Sequence, residues 1–315
     1  MITVKYKIIL PLLVLVLLLS LLVPGCGPKQ EKHIIFATGS WSGDWLTIYP
    51  IKILLEEEFG YTTEIAETST PMAWTAIGTG SADLWSNGWL PNQQDLWDKY
   101  VDTVVNLGIL YGGGPHDPCL QFWAVPTYTS EEYGITSITD LENPDFVEMF
   151  DVDGDGVGDI LGCDAAWKCA AVNDQMVIDY GLEGIYEQKY GSESMMTVAI
   201  EGSMKKKEPV LFYFYTPHPI FVKYPIGEAV TILEDPLEGW GELATIIKAA
   251  NKEWVEANPE AADLIRQVKM TQDDIAWSMA EIEARGDDVE TLTAITREWM
   301  AAHQAEIDAW VAAAK

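Results

Sequence analysis

Cys163 and Cys169 flank the short run Asp164-Ala165-Ala166-Trp167-Lys168. A disulfide can close a loop of this size, whereas a zinc site would need four ligands, and no other Cys or His stands nearby at zinc spacing. The disulfide is therefore the expectation, which leaves Cys119 odd if Cys26 carries lipid. Just upstream, Asp151, Asp153, Asp155 and Asp159 occupy positions 1, 3, 5 and 9 of an EF-hand-like loop whose position 12 is Gly162 instead of the bidentate Glu. That run is either a structural calcium loop, stiffening the approach to the cysteine loop, or an Asp/Gly turn. The 13 Trp are a third resource, because an indole offers both a flat π face and an N–H. Catalytic chemistry is harder to place. There is no G-x-S-x-G or H-E-x-x-H, and His33, His116, His218 and His303 sit in no catalytic motif. Two rivals stay open on this reading, a secreted hydrolase built on unplaced acids and a Trp-rich carbohydrate-binding lipoprotein.

The elements that would carry these residues alternate. His33–Thr38 predicts a strand, residues 45–59 a helix closed by Gly60, Thr62–Ile65 a strand, residues 70–79 a helix, and Ala82–Ser86 a strand ending at Asn87-Gly88-Trp89. Such alternation predicts an α/β fold with a mostly parallel sheet, in which ligands sit beyond the carboxyl ends of the strands. Trp41 and Trp89 fall at those ends. A strand at Phe122–Val125, helices near 136–149 and 171–181, and a strand at Val210–Tyr215 follow. Beyond Glu253 the pattern is helical, with starts at Pro259 and after Thr271 and a long helix over Val289–Ala314. Trp277, Trp299 and Trp310 have the spacing of core residues on those helices.

Charge and the N-terminus bound where the molecule works. With 19 Lys+Arg against 49 Asp+Glu the net charge is -30, which opposes nucleic-acid binding and adhesion to anionic lipid. Lys5 and Lys7 precede the apolar run Ile8–Val23, shorter than the ~20 residues of a spanning helix and suited to a signal peptide. The run ends in Val23-Pro24-Gly25-Cys26, which resembles a bacterial lipobox. Residues 1–25 are then a lipoprotein signal peptide, Cys26 the lipidated residue, and 26–32 a tether. The expected location is extracytoplasmic, lipid-anchored to a bacterial membrane, at the cell surface or in the periplasm.

Four stretches together resemble a known family: Phe59-Gly60-Tyr61; Gly80-Ser81-Ala82-Asp83 leading to Asn87-Gly88-Trp89-Leu90-Pro91; Phe150-Asp151 through the cysteine loop to Cys169; and Val210–Pro217. Ala249–Trp254 followed by Asn258-Pro259-Glu260 adds to the match. The chain resembles the substrate-binding lipoproteins and periplasmic proteins of glycine betaine/proline/choline-type ABC transporters. The resemblance implies a two-lobe type II periplasmic-binding-protein-like fold with a hinge and an interlobe cleft. Lobe 1 would take residues 33–121 and 242–315, and lobe 2 residues 122–241. It implies a non-enzymatic monomer that needs no cofactor, binds a small quaternary ammonium compound, and docks on an ABC permease.

A quaternary ammonium cannot donate a hydrogen bond, so aromatic faces must hold it. The resemblance points to Trp89, Trp167 and Tyr215 as walls, Tyr215 standing where betaine proteins often have Trp. Trp41 is a further wall, with Trp45 as its alternative. For a carboxylate end the family uses backbone N–H groups, here of Lys168 and Cys169, plus a polar side chain after the first-lobe Trp, here Asn92 or Gln93. Asp44 has two readings: a helix N-cap, or a pocket carboxylate that would favour a bare cation such as choline over a zwitterion.

Overall fold

The computed structural model describes residues 32–39, 41–113, 119–241 and 243–315. The leader, Cys26 and most of the tether lie outside the described residues, as does His116. No helix among the described residues is long and apolar enough to cross a membrane.

Residues 33–315 form one compact unit built on two five-stranded sheets. The first contains β1 (His33–Thr38), β2 (Thr62–Glu67), β3 (Leu84–Leu90), β4 (Val104–Gly112) and β10 (Thr245–Asn251), in the order β2-β1-β3-β10-β4. The second contains β5 (Gln121–Pro126), β6 (Gly158–Leu161), β7 (Tyr186–Lys189), β8 (Leu211–Tyr215) and β9 (Val230–Ile232), in the order β7-β6-β8-β5-β9. Both sheets are mixed, not mostly parallel. β1 pairs parallel with β2 and β3, but β10 enters antiparallel between β3 and β4. In the second sheet β6 pairs parallel with β7 and β8, while β5 is antiparallel to β8 and β9. In the first sheet the departure comes from β10, which arrives from about 130 residues away and which no local pattern in β3 or β4 announces.

The helix after β1 spans Asp44–Phe59 and stops at Gly60, which takes φ 70° and returns its N–H to the Leu55 carbonyl. Glycine carries that left-handed turn without a Cβ clash. The stretch expected as one helix near 136–149 is instead two 3₁₀ turns, Ile138–Glu142 and Pro144–Phe146, and a short helix Val147–Phe150. Pro144 disfavours helical backbone at Asn143, and the helix cannot run through. The expected long C-terminal helix divides at His303 into Val289–Ala302 and Gln304–Ala314. There His303 Nδ1 lies 2.9 Å from the Trp299 carbonyl and its ring stacks on the Trp299 indole at 4.5 Å. Of the three C-terminal tryptophans Trp299 is buried and Trp310 partly so, but Trp277 is exposed.

Candidate functional site

Strand geometry places the site. Side chains alternate across a strand, so Trp85, Asn87 and Trp89 project from one face of β3, and Tyr213 and Tyr215 from one face of β8. Gln121 lies opposite Tyr215 in the β5–β8 register. All six line one cleft, together with Trp41 from the loop after β1, Trp167, Lys168 and Cys169 from the cysteine loop, and Asn92 and Gln93 just beyond β3. Trp89 was expected beyond a strand end. It lies within β3, because pairing with β10, Trp89 to Ile246, carries the strand on to Leu90.

Three of the rings are mutually near-perpendicular. Trp41 and Trp89 stand 6.1 Å apart at 77°, Trp41 and Tyr215 5.7 Å at 78°, and Trp89 and Tyr215 6.2 Å at 85°. Trp167 adds a fourth, 5.8 Å from Tyr215 at 73°. These rings come from segments that build different sheets, Trp41 and Trp89 from the first, Trp167 and Tyr215 from the second. Trp45 is not in the box: it stacks edge-on against Tyr49, 6.0 Å away, and lines a separate cavity.

The indole N–H groups are tied back. Trp89 donates to Asn87 Oδ1 at 2.6 Å, and Trp41 donates to Asp44 Oδ1 at 2.5 Å. Gly43 lets the Trp41 ring lie against the backbone, since a Cβ there would run into the indole. Asp44 follows neither of its two readings. The N-cap of the helix is Gly43, and no side chain caps it. The carboxylate is fully buried behind the cleft, outside its lining, where Oδ2 accepts the Gly39 N–H at 2.6 Å and the Thr38 hydroxyl at 3.2 Å. Burial raises its pKa to about 7; the donors from Gly39, Trp41 and Thr38 oppose this and the nearby Glu193 adds to it.

Polar groups face the cleft from two sides. Gln93 Oε1 accepts the Trp74 indole N–H at 2.6 Å, which leaves the Nε2 end as its donor. Asn92 Nδ2 reaches the Trp240 carbonyl at 3.4 Å, and Asn92 Oδ1 is buried without a partner. Lys168 and Cys169 open the helix Lys168–Asp179, whose first N–H groups have no intrahelical acceptor. The Lys168 ammonium itself turns away to Asp95, 2.8 Å distant. Cys163 and Cys169 form a disulfide, and Cys119 is buried. Two further polar atoms are buried and unpartnered on the cleft residues, Trp85 Nε1 and the Tyr215 hydroxyl. Burial, with Glu193 next in effect, holds the Tyr215 phenol well above its usual range, so it is neutral. Trp85, Asn87, Gln121 and Tyr213 were not singled out from sequence. The period-2 spacing of Trp85 and Asn87 with Trp89, and of Tyr213 with Tyr215, was the available signal.

The Asp/Gly run is held partly by its own N–H groups. Asp151 accepts N–H groups from Gly154, Asp155 and Gly156, and Asp159 accepts that of Val152. Oxygens of Asp151, Asp153 and Asp159 come within 4.8 Å of one another. The Lys189 ammonium reaches Asp153 at 2.8 Å, Asp159 at 3.2 Å and Asp155 at 3.8 Å, and also pairs with Glu187.

Comparison with known proteins agrees with this geometry. The sequence profile of OpuAC, the substrate binding domain of ABC-type glycine betaine transport systems, matches residues 32–302. The chain belongs to that family. It is a family of solute-binding proteins and not of enzymes. The chain is 26% identical over 303 residues to the glycine betaine/proline betaine-binding periplasmic protein of Salmonella typhimurium, covering 85% of this chain and 90% of that one. It is 25% identical over 318 residues to the glycine betaine-binding periplasmic protein OusX of Dickeya dadantii, covering 89% and 93%. Among solved structures, lactococcal OpuAC closed on glycine betaine superposes with a TM-score of 0.73 at 22% identity, covering 89% of this chain and all of that one. An ABC-transporter choline binding protein in complex with choline gives 0.77 at 18% identity, covering 91% and 93%. The fold is therefore the two-lobe, type II periplasmic-binding-protein α/β fold.

Proposed function

We propose that this protein is the extracytoplasmic solute-binding component of an ABC importer, and that it holds a quaternary ammonium compound in the aromatic box of Trp41, Trp89, Trp167 and Tyr215. The box geometry carries the reading. Rings with centroids 5.7–6.2 Å apart gather around one cleft, a spacing at which a single cation could lie within the ~6 Å over which it is attracted to several of their faces. Three such desolvated faces would contribute about 6 kcal/mol before ordering costs. A carboxylate on the same ligand would find the N–H groups of Lys168 and Cys169 and the Gln93 amide across the cleft.

Mechanistically, closure and binding are one event. Only when the segments of the two sheets approach do Trp41 and Trp89 face Trp167 and Tyr215, so ligand stabilises the closed form, which docks on the permease. Residues 33–121 with 242–315 would move as one lobe against 122–241. The protein would act as a monomer anchored through lipid on Cys26.

A thermal-shift panel tests the reading. Glycine betaine, proline betaine, carnitine or choline should raise Tm, while sugars and uncharged amino acids should not. A shift with sugars alone would replace this reading with the carbohydrate-binding one. The same assay addresses the Asp/Gly loop, which we read as a turn clamped by Lys189 because the ammonium already sits among the carboxylates a calcium ion would need. Calcium or a chelator is expected to leave Tm unchanged; a rise with micromolar calcium would mean that the ion displaces Lys189.

A further inference from the structure

Behind the box, away from the cleft, a second carboxylate joins the two halves. Glu193 is the first residue of the helix Glu193–Lys206, in the segment that builds the second sheet. Its side chain is 12% exposed. Oε2 accepts the backbone N–H of Ser42 at 2.8 Å, and Oε1 accepts the Ser42 hydroxyl at 2.7 Å. Ser42 belongs to the loop after β1 and directly follows Trp41. A third donor comes from its own half. His218 Nδ1 accepts the Ile220 N–H at 3.1 Å, which places the ring proton on Nε2, and Nε2 lies 3.1 Å from Glu193 Oε1. His218 in turn meets the Tyr215 ring edge-on at 5.7 Å. One carboxylate thus connects the loop that carries Trp41 to the strand end that carries Tyr215. Burial pushes the Glu193 carboxyl up, and the His218 and Ser42 donors more than reverse this, so it is ionised at neutral pH.

We propose that Glu193 is a positioning residue that latches the closed cleft, fixing the Trp41 loop against the Tyr215 strand end. The proposal rests on the closure mechanism above. Separation of the two halves breaks both bonds to Ser42 but leaves the His218 bond intact, so the latch exists only when the box is assembled. An ion pair between the halves, Lys168 to Asp95 at 2.8 Å, is 30% and 60% exposed and contributes little by comparison.

A latch made only in the closed state slows ligand release without helping encounter. In stopped-flow tryptophan fluorescence with glycine betaine and with choline, Glu193→Ala is expected to raise the dissociation rate about 10- to 100-fold. The association rate should stay within about threefold of wild type. Ser42→Ala, which removes one donor and keeps the backbone bond, should give a smaller rise in the same direction. The ligand-free Tm should stay within about 2 °C of wild type, because the open form lacks the latch. An unchanged dissociation rate in Glu193→Ala, or a ligand-free Tm that falls as far as the liganded one, would overturn the latch. Binding of none of glycine betaine, choline, proline betaine and carnitine by the wild type would remove the box and the latch together, whereas binding with an unchanged dissociation rate in Glu193→Ala would remove the latch alone.

Discussion

Trp89→Ala is expected to weaken binding of a trimethylammonium ligand by about 30-fold, the equivalent of one desolvated cation–π contact of about 2 kcal/mol. Trp167→Ala should act alike from the opposite side of the cleft, and the pair together should abolish measurable binding. Trp89→Phe should recover much of the loss, since it keeps a π face while surrendering the bond to Asn87. That contrast separates the face from the bulk: Trp89 is buried, so truncation also opens a cavity, and a loss caused by packing alone would lower the ligand-free Tm in step. Titration calorimetry beside thermal melts reads both quantities. Equal affinity in wild type and Trp89→Ala would remove Trp89 from the box.

A pH dependence of stability between about pH 4 and 7 is the second large effect, and its source is Asp44. Its pKa rises from 3.8 to about 7 on folding. Between those values the folded state holds a proton that the unfolded state has lost, so stability falls as pH rises from about 4 to 7 and is flat above. A shift of about three units corresponds to about 4 kcal/mol, in order of magnitude. Asp44→Asn should flatten that slope in denaturant titrations at pH 5 and 8. Ligand should couple to the same proton. A cation in the box favours the ionised carboxylate behind Trp41, so affinity for choline should rise several-fold from pH 6 to 8 in wild type and stay level in Asp44→Asn. A level wild-type profile would show that the carboxylate does not sense the ligand.

Local signals made much of this molecule readable before its structure. Gly60 stops the first helix because only the left-handed turn is needed there, and the Thr271/Asp274 capping box opens the helix Gln272–Arg285 by bonds confined to four residues. What escaped was set at long range. β10 pairs with β3 and β4 from far along the chain, and that pairing turns the first sheet mixed and extends β3 past Trp89. Asp44 stands where an N-cap is plausible by spacing, yet the Gly39 and Trp41 donors, brought round by the turn after β1, claim its oxygens. Likewise the Asp/Gly run shows its carboxylates in sequence but not Lys189, which β7 brings beside them by pairing with β6. In each case the chemistry of the residue was legible and its partner was not. The resemblance points to Trp41, Trp89, Trp167 and Tyr215, which the structure brings to one cleft, whereas Trp85 and Tyr213 needed only the alternation of β3 and β8.

The most direct measurement is isothermal titration of residues 33–315 with glycine betaine, proline betaine, carnitine and choline at pH 7.5, each repeated with Trp89→Ala. The account predicts saturable one-to-one binding of at least one of them, about 30-fold weaker in the variant. A folded protein that takes up none of the four would contradict it.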